Sequence, residues 1–343
     1  MERPSEFYQS HLDRVSRSFA FCIRQLPEPL RAWVAMSYLL CRILDTIEDA
    51  PWSGSQKQFE AFTLFDHLLS GDVEPERAFE LLAALPAEVA EGEMALIGDA
   101  PAIFEDLALA PAQVSLILRE LIGTMSRGMQ HFARRHPGGA LELTSIHEVN
   151  QYCFFVAGVV GELLAKLLRL VDGDFKIDET TLVRAHHFGL FLQKVNLLKD
   201  QVGDEKAGRR LVPSRELVES SARHNAEGAL SFLQSLPAKQ LEFRRFCAWS
   251  LFLGLEALAV ARDSVRQGQV LKVSRERVEE LITLLESSLT DDQALRRLYE
   301  TVAKRLGWGA ALAEAPKSSQ VPEWLQALYP GPLSPQKLAE LGV

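Results

Sequence analysis

Cysteine is scarce in this chain of 343 residues, with only Cys22, Cys41, Cys153 and Cys247. Each lies in an apolar segment and none falls in a CxxC or Cys/His spacing. That pattern argues against zinc and against a disulfide framework, and for buried free thiols in a reducing compartment. The eight histidines show no metal spacing, and adjacent His186 and His187 cannot share a helix face. No GxGxxG follows a strand-like run and no Walker loop is present, so both phosphate-cradling glycine fingerprints are missing. Basic charge is in deficit. Lys and Arg total 37 against 46 Asp and Glu, a net charge of -9, which argues against nucleic acid as a partner. No window reaches the roughly 18 uncharged apolar residues of a membrane span. Glu162 and Lys166 break one candidate and Glu256 the other. The N-terminus, Met-Glu-Arg-Pro-Ser-Glu, has no signal-peptide pattern, so a cytoplasmic protein is expected.

Alternating β-branched runs are also nearly absent. Helical periodicity fills the space instead, with apolar residues at i, i+3, i+4 and i+7 over 30–49, 115–135, 148–171, 180–203, 224–236, 240–267 and 275–307. Stops fall at Pro51, Gly71-Asp72, Pro137-Gly138-Gly139 and Asp172-Gly173-Asp174. Residues 71–112, with four prolines, read as helices joined by loops. The segment from 314 carries five more prolines and reads as an irregular, peripheral tail after one all-α domain over 1–313.

Two acidic clusters carry the chemistry. The first is Asp45-Thr46-Ile47-Glu48-Asp49 and the second is Asp200-Gln201-Val202-Gly203-Asp204. In each, two aspartates four apart share one helix face. The first stripe extends back through Arg42 and Tyr38, and its flanks are apolar nearly all round, which predicts a buried helix. Carboxylates on such a helix need a neutraliser. Mg²⁺ suits the part, because it takes oxygen ligands and is often shared between a few carboxylates and a substrate phosphate. Asp45, Glu48, Asp49, Asp200 and Asp204 are therefore the candidate metal ligands. The second stripe runs Gln193, Asn196, Asp200, Asp204, with Lys199 beside it and a basic turn at Arg209-Arg210 behind it. Those cations can contact diphosphate oxygens, although a solvated surface turn explains Arg209 and Arg210 equally well.

Near the N-terminus, Ser16 or Ser18 can cap a helix, while Arg17 has no local signal. In Tyr152-Cys153-Phe154-Phe155-Val156-Ala157-Gly158-Val159-Val160-Gly161, small residues line one face. Either tight helix packing or a long apolar substrate accounts for them.

These segments resemble the squalene/phytoene synthase family, the head-to-head trans-isoprenyl diphosphate synthases. The resemblance rests on SRSFAFCIRQLP (16–27), SYLLCRILDTIED (37–49), YCFFVAGVVGELL (152–164), FGLFLQKVNLLKDQVGDEKAGRRLVPS (188–214), FCAWSLFLGLEALAVA (246–261) and GQVLKVSRERVEEL (268–281). The last two look most like the squalene synthase branch. The resemblance implies a single-domain isoprenoid-synthase-like helical bundle around a deep central cavity. Two farnesyl diphosphates would bind there, with Mg²⁺ between the two aspartate helices. They would condense to presqualene diphosphate, which NADPH then reduces to squalene. It further implies diphosphate contacts at Arg17, Arg42, Lys199 and Arg209, and a catalytic role for Tyr152 near the departing diphosphate. Cavity or substrate positions would be Ser16, Phe19, Tyr38, Val156, Ala157, Gly158, Gly161, Gln193, Asn196 and Phe246. Lys272, with Asn196, would serve NADPH. A monomer is expected, of a length that suits a member without a C-terminal membrane anchor. The insolubility of a C30 hydrocarbon suggests peripheral membrane contact.

The chain departs from the family pattern at four places. Gly203 replaces a frequent glutamate, Lys199 an arginine, Trp249-Ser250-Leu251 the usual Ile-Pro-Gln, and Ser274 a basic residue. A member that stops or diverges after condensation, giving presqualene diphosphate, hydroxysqualene, dehydrosqualene or phytoene, therefore stays open. A non-catalytic helical scaffold would have let the aspartates decay, and all four are present.

Overall fold

Helix succeeds helix through the chain. The structure is a computed structural model describing residues 3, 5–136, 141–267, 271–309 and 320–343; for Arg17 and residues 265–267 it describes the backbone alone. No extended strand occurs among the described residues, so the fold is all-α. The stop expected at Pro137-Gly138-Gly139 lies outside them.

The chain divides into two compact units, Met1–Glu142 with Lys166–Gly173, and Leu143–Ala165 with Asp174–Val343. In the first unit α1 (Ser5–Val15), α2 (Arg17–Ile23), α3 (Leu30–Asp49) and α4 (Ser55–Ser70) lead through a 3-10 turn (Pro75–Ala78) to three short helices. These are α5 (Phe79–Ala84), α6 (Glu91–Gly98) and α7 (Ala100–Leu109), followed by the long α8 (Ala112–Arg135). The prolines of 71–112 act as expected of boundaries. Pro75 and Pro101 sit in first turns and Pro111 at the entry of α8, where a missing N–H costs nothing. Helix α3 packs against α1, α4, α6, α7 and α8. Twelve of its residues are buried, as its all-round apolar pattern demands. Its last carbonyls are covered by side chains: Trp52 Nε1 donates to Ile47 O at 2.8 Å and Gln58 Nε2 to Glu48 O at 2.9 Å. The Asp49 end is thus pinned from two sides.

The second unit holds α9 (Ile146–Cys153), a π-helical turn (Phe154–Gly158) and α10 (Val159–Val171), which runs on into the first unit's residues. It also holds α11 (Glu179–Lys206), α12 (Arg215–Ser235), α13 (Leu241–Gln267), α14 (Arg275–Glu286), α15 (Asp292–Arg305), α16 (Glu323–Leu328) and α17 (Pro335–Glu340). Helix α11 packs against α9, the π turn, α12, α13 and α17.

Three expectations need correcting. The run over 275–307 is two helices. Asp291 restarts the chain by accepting from the N–H groups of Gln293 (2.8 Å) and Ala294 (3.1 Å), a cap that no proline or glycine announces. The run over 148–171 is interrupted by the π turn. The tail is neither irregular nor peripheral from Gln320 onward. Val321, Leu325, Tyr329, Leu333, Leu338, Leu341 and Val343 are all buried, because the prolines start short helices and turns whose apolar residues point inward. Residues 314–319 lie outside the description.

Arg244 holds one corner of this unit. Its guanidinium is 2% exposed. It donates to Leu289 O (2.8 Å), Leu236 O (2.7 Å) and Asp292 Oδ1 (2.6 Å), tying α13 to the end of α12 and to the α14–α15 connection. A planar fork meets three acceptors that an ammonium cannot match. Arg244→Lys should lower unfolding free energy by about 2–3 kcal/mol, read from urea denaturation, because buried carbonyls lose their donors.

Candidate active site

The first stripe stands out by what surrounds it. From Val34 to Ile47 every residue is buried except Tyr38, Arg42 and Asp45. Helical spacing of four and three puts these three on one line, continued by exposed Asp49. The face picked out by sequence is thus the face that solvent can reach on an otherwise buried helix.

Local chemistry around it is organised. Ser16 caps α2, accepting from Phe19 N at 3.4 Å. The Phe19 ring lies 5.5 Å from that of Tyr38. Burial pushes the Tyr38 hydroxyl up to about 12, partly offset by a hydrogen bond from Ser16 and by Arg42. The Arg17 side chain lies outside the described residues. Arg42 donates from Nη2 to Glu93 Oε1 at 2.7 Å and stands 3.9 Å from Asp45. Its buried Nε has no acceptor among the described residues. Glu93, in the first turn of α6, is a site residue that sequence reasoning missed. It sits in the proline-broken region and belongs to no motif.

Asp45 keeps 36% of its side-chain exposure, yet protein surrounds it deeply. Desolvation pushes its carboxyl up to about 7; Arg42 opposes the shift, while Asp49 and Glu93 add to it. Glu48 is half-buried.

The second stripe follows the same rule. From Ala185 to Leu198 on α11, only Leu192, Gln193 and Asn196 escape burial. Asp200 is exposed and lies 3.2 Å from Lys199 Nζ. Asp204 is buried and takes Arg209 Nη2 at 2.6 Å. Desolvation raises the Asp204 carboxyl and Arg209 pulls it back. Lys199, Arg209 and Arg42, expected at diphosphate, thus each neutralise a carboxylate of their own stripe or its neighbour. Leu192 was not singled out, since an apolar residue on an apolar helix carries no signal.

Asp49 and Asp204 occupy the last turns of long helices, where the helix dipole is negative and disfavours acidic side chains, and Asp45 and Asp200 stand one turn before them. Desolvation acts against the charge at Asp45, and desolvation and dipole act together at Asp204. Among the described residues no three His, Cys, Asp or Glu side chains form a ready metal cage. Two carboxylates per stripe suit an ion that shares its remaining positions with water and a substrate phosphate.

The other expected positions fall as follows. Tyr152 and Val156 are buried and Ala157 is partly exposed. At Gly161 the packing alternative accounts for the residue, because a Cβ there would lie 1.9 Å from Ala185 O. Gly189 answers it, its Cβ position being 2.0 Å from Ala157 O. The two helices touch backbone to backbone, and the room these glycines give is taken by α11. Gly158 likewise faces the His186 ring, 3.3 Å from its Cβ position. Phe246 is buried, its ring 6.0 Å from that of Phe243. Lys272 is exposed on the connection after α13.

The family model described as squalene/phytoene synthase matches residues 12–277. The chain belongs to the squalene/phytoene synthase family. It is 29% identical to human squalene synthase over 203 residues, 59% of this chain and 45% of that one. It is 30% identical to Botryococcus squalene synthase from Botryococcus braunii over 218 residues, 62% of this chain and 43% of the other. The matches thus span less than half the length of these curated relatives. Among solved structures, the complex of TcSQS with the ligand BPH1237 superposes with a TM-score of 0.70 at 21% identity over 98% of both chains, a likeness of fold. No helix among the described residues is long and apolar enough to cross a membrane.

Asp45 gives this site a pH signature. The folded carboxyl holds its proton more tightly than the unfolded one, so the group costs stability as pH rises from about 4 through about 7. Asp45→Asn should unfold at a higher temperature than the native chain at pH 8, with the gap narrowing as pH falls and closing near pH 4, as followed by circular dichroism.

Proposed function

We propose that this protein is a squalene synthase. It would join two farnesyl diphosphates head to head into presqualene diphosphate and reduce that with NADPH to squalene. The observation that carries the reading is the reachable line Tyr38, Arg42, Asp45 on an otherwise buried helix, in a chain of this family.

The chemistry fits the residues. Ionising an allylic diphosphate breaks a C–O bond, and the diphosphate leaves with the electron pair. That charge must be held where it develops. Arg42, with its unmatched Nε, and Lys199 and Arg209 supply cationic donors. Asp45, Asp49, Asp200 and Asp204 would hold Mg²⁺, which when bound neutralises the departing diphosphate. Arg42 and Arg209 now rest on Glu93 and Asp204, so their contacts must loosen or be shared as substrate arrives. The allylic cation left behind is attacked by the double bond of the second chain, and closing the cyclopropane releases a proton. Family resemblance supports a role for Tyr152 near the departing diphosphate. Tyr38 and Phe246 offer aromatic faces to positive charge, and the apolar surroundings of both stripes limit quenching by water.

For NADPH, which supplies hydride when bound, the described residues offer exposed Lys272 and half-exposed Asn196. Ser274, where relatives of this family commonly carry a cation, is occupied as the cap of α14, accepting from Arg277 N at 3.2 Å. This observation favours a second reading, in which the enzyme stops or diverges after condensation.

Product analysis by gas chromatography–mass spectrometry separates the two. Farnesyl diphosphate and Mg²⁺ with NADPH should give squalene, and without NADPH presqualene diphosphate or its alcohols. The same product with and without NADPH would establish the second reading. Asp45→Asn combined with Asp49→Asn should cut consumption of farnesyl diphosphate at least about a hundredfold. Unchanged consumption would sink both readings.

A further inference from the structure

The π-helical turn Phe154–Gly158 begins two residues after Tyr152 and contains Val156 and Ala157. Turns of this kind are rare and need support, because they widen the helix and disturb its ladder. Here the support comes from the far end of the chain. The Phe154 ring stacks on His186 at 4.8 Å and meets Tyr329 edge-on at 5.0 Å. The Phe155 ring stacks on Trp324 at 5.9 Å. Two successive residues of the turn thus rest on two residues of the 320–343 segment.

A buried polar knot fixes that contact. Tyr329 Oη donates to Glu162 Oε2 at 2.6 Å, and His186 Nε2 lies 3.1 Å from the same oxygen. Glu162 and His186 are wholly buried and Tyr329 is 4% exposed. A buried carboxylate demands such donors, so the knot specifies where the Tyr329 ring goes. Gly331 makes the placement possible, since a Cβ there would lie 2.1 Å from the Tyr329 ring. Further along, Asn150 Nδ2 donates to Gly342 O at 3.0 Å, one helical turn before the π turn.

We propose that the 320–343 segment is a strap that sets the π turn, and that Tyr329, through Glu162 and His186, is a positioning residue for Tyr152 and Val156. The consequence for turnover rests on the functional reading above; the strap itself does not. Tyr329→Phe keeps the ring on Phe154 and removes the donor to Glu162.

Hydrogen exchange of the full chain without substrate tests the strap. In Tyr329→Phe the amides of 152–160 should exchange at least about tenfold faster, while those of α3 keep their native rates. Equal protection in 152–160 would overturn the strap. Steady-state kinetics with farnesyl diphosphate tests the positioning role. kcat should fall about tenfold with KM within about twofold, the mark of misplaced groups in a protein that still binds. Unchanged kcat alongside faster exchange would overturn positioning and leave only a structural strap. If Tyr329→Phe does not fold, Trp324→Leu, altering a partly exposed ring, should give the same two results. A native enzyme that consumes no farnesyl diphosphate would defeat the functional reading, and the exchange result would still decide the strap.

Discussion

Carboxylates in the last turn of a buried helix are opposed twice, by the loss of water and by the negative end of the helix dipole. This protein places a pair near the end of each of two long helices, Asp45 with Asp49 and Asp200 with Asp204; Asp45 and Asp204 bear the desolvation, while Asp49 and Asp200 are exposed. Much of the surrounding structure answers that placement. Arg42 stands between Asp45 and Glu93, and Arg209 folds back onto Asp204. Trp52 and Gln58 occupy the final carbonyls of α3, so that its end is held while it carries unfavourable charge. Even so, desolvation leaves the Asp45 carboxyl raised to about 7. Protein cations compensate these groups in part; in the proposed function a cation-bound diphosphate would meet the rest.

The second unit shows how closely such stripes are framed. Gly161 and Gly189 let α10 and α11 meet backbone to backbone. That contact fixes the rotation of α11 and hence which of its side chains stay reachable, namely Leu192, Gln193 and Asn196. The π turn beside it is braced by residues more than 160 positions later in the chain. Packing, rather than a loop, presents these side chains.

Much of this was legible in the sequence, and the failures have physical causes. Helix α3 was readable to its ends, Leu30–Asp49, because a continuous apolar pattern is stopped by Pro51. That Tyr38, Arg42 and Asp45 share one stripe followed from periodicity alone; their partial exposure came from the structure. The break between α14 and α15 was hidden, since Asp291 caps by its side chain in a sequence that still looks helical. The prolines after 314 suggested an unpacked tail, but proline is compatible with first turns, and the interleaved apolar residues decide burial. Glu93 had no signal at all, because its role exists only through a partner 51 positions away. The small residues at 158 and 161 were ambiguous in sequence, and only the position of α11 shows what fills the space beside them.

The central claim of the proposed function is that the aspartates of each stripe are needed for ionisation of the diphosphate. The most direct test is Mg²⁺-dependent release of diphosphate from farnesyl diphosphate, compared among the native chain, Asp45→Asn and Asp200→Asn. The account predicts that each single substitution slows release by at least about tenfold with the helical circular dichroism spectrum retained. Release at the native rate by either variant would contradict it.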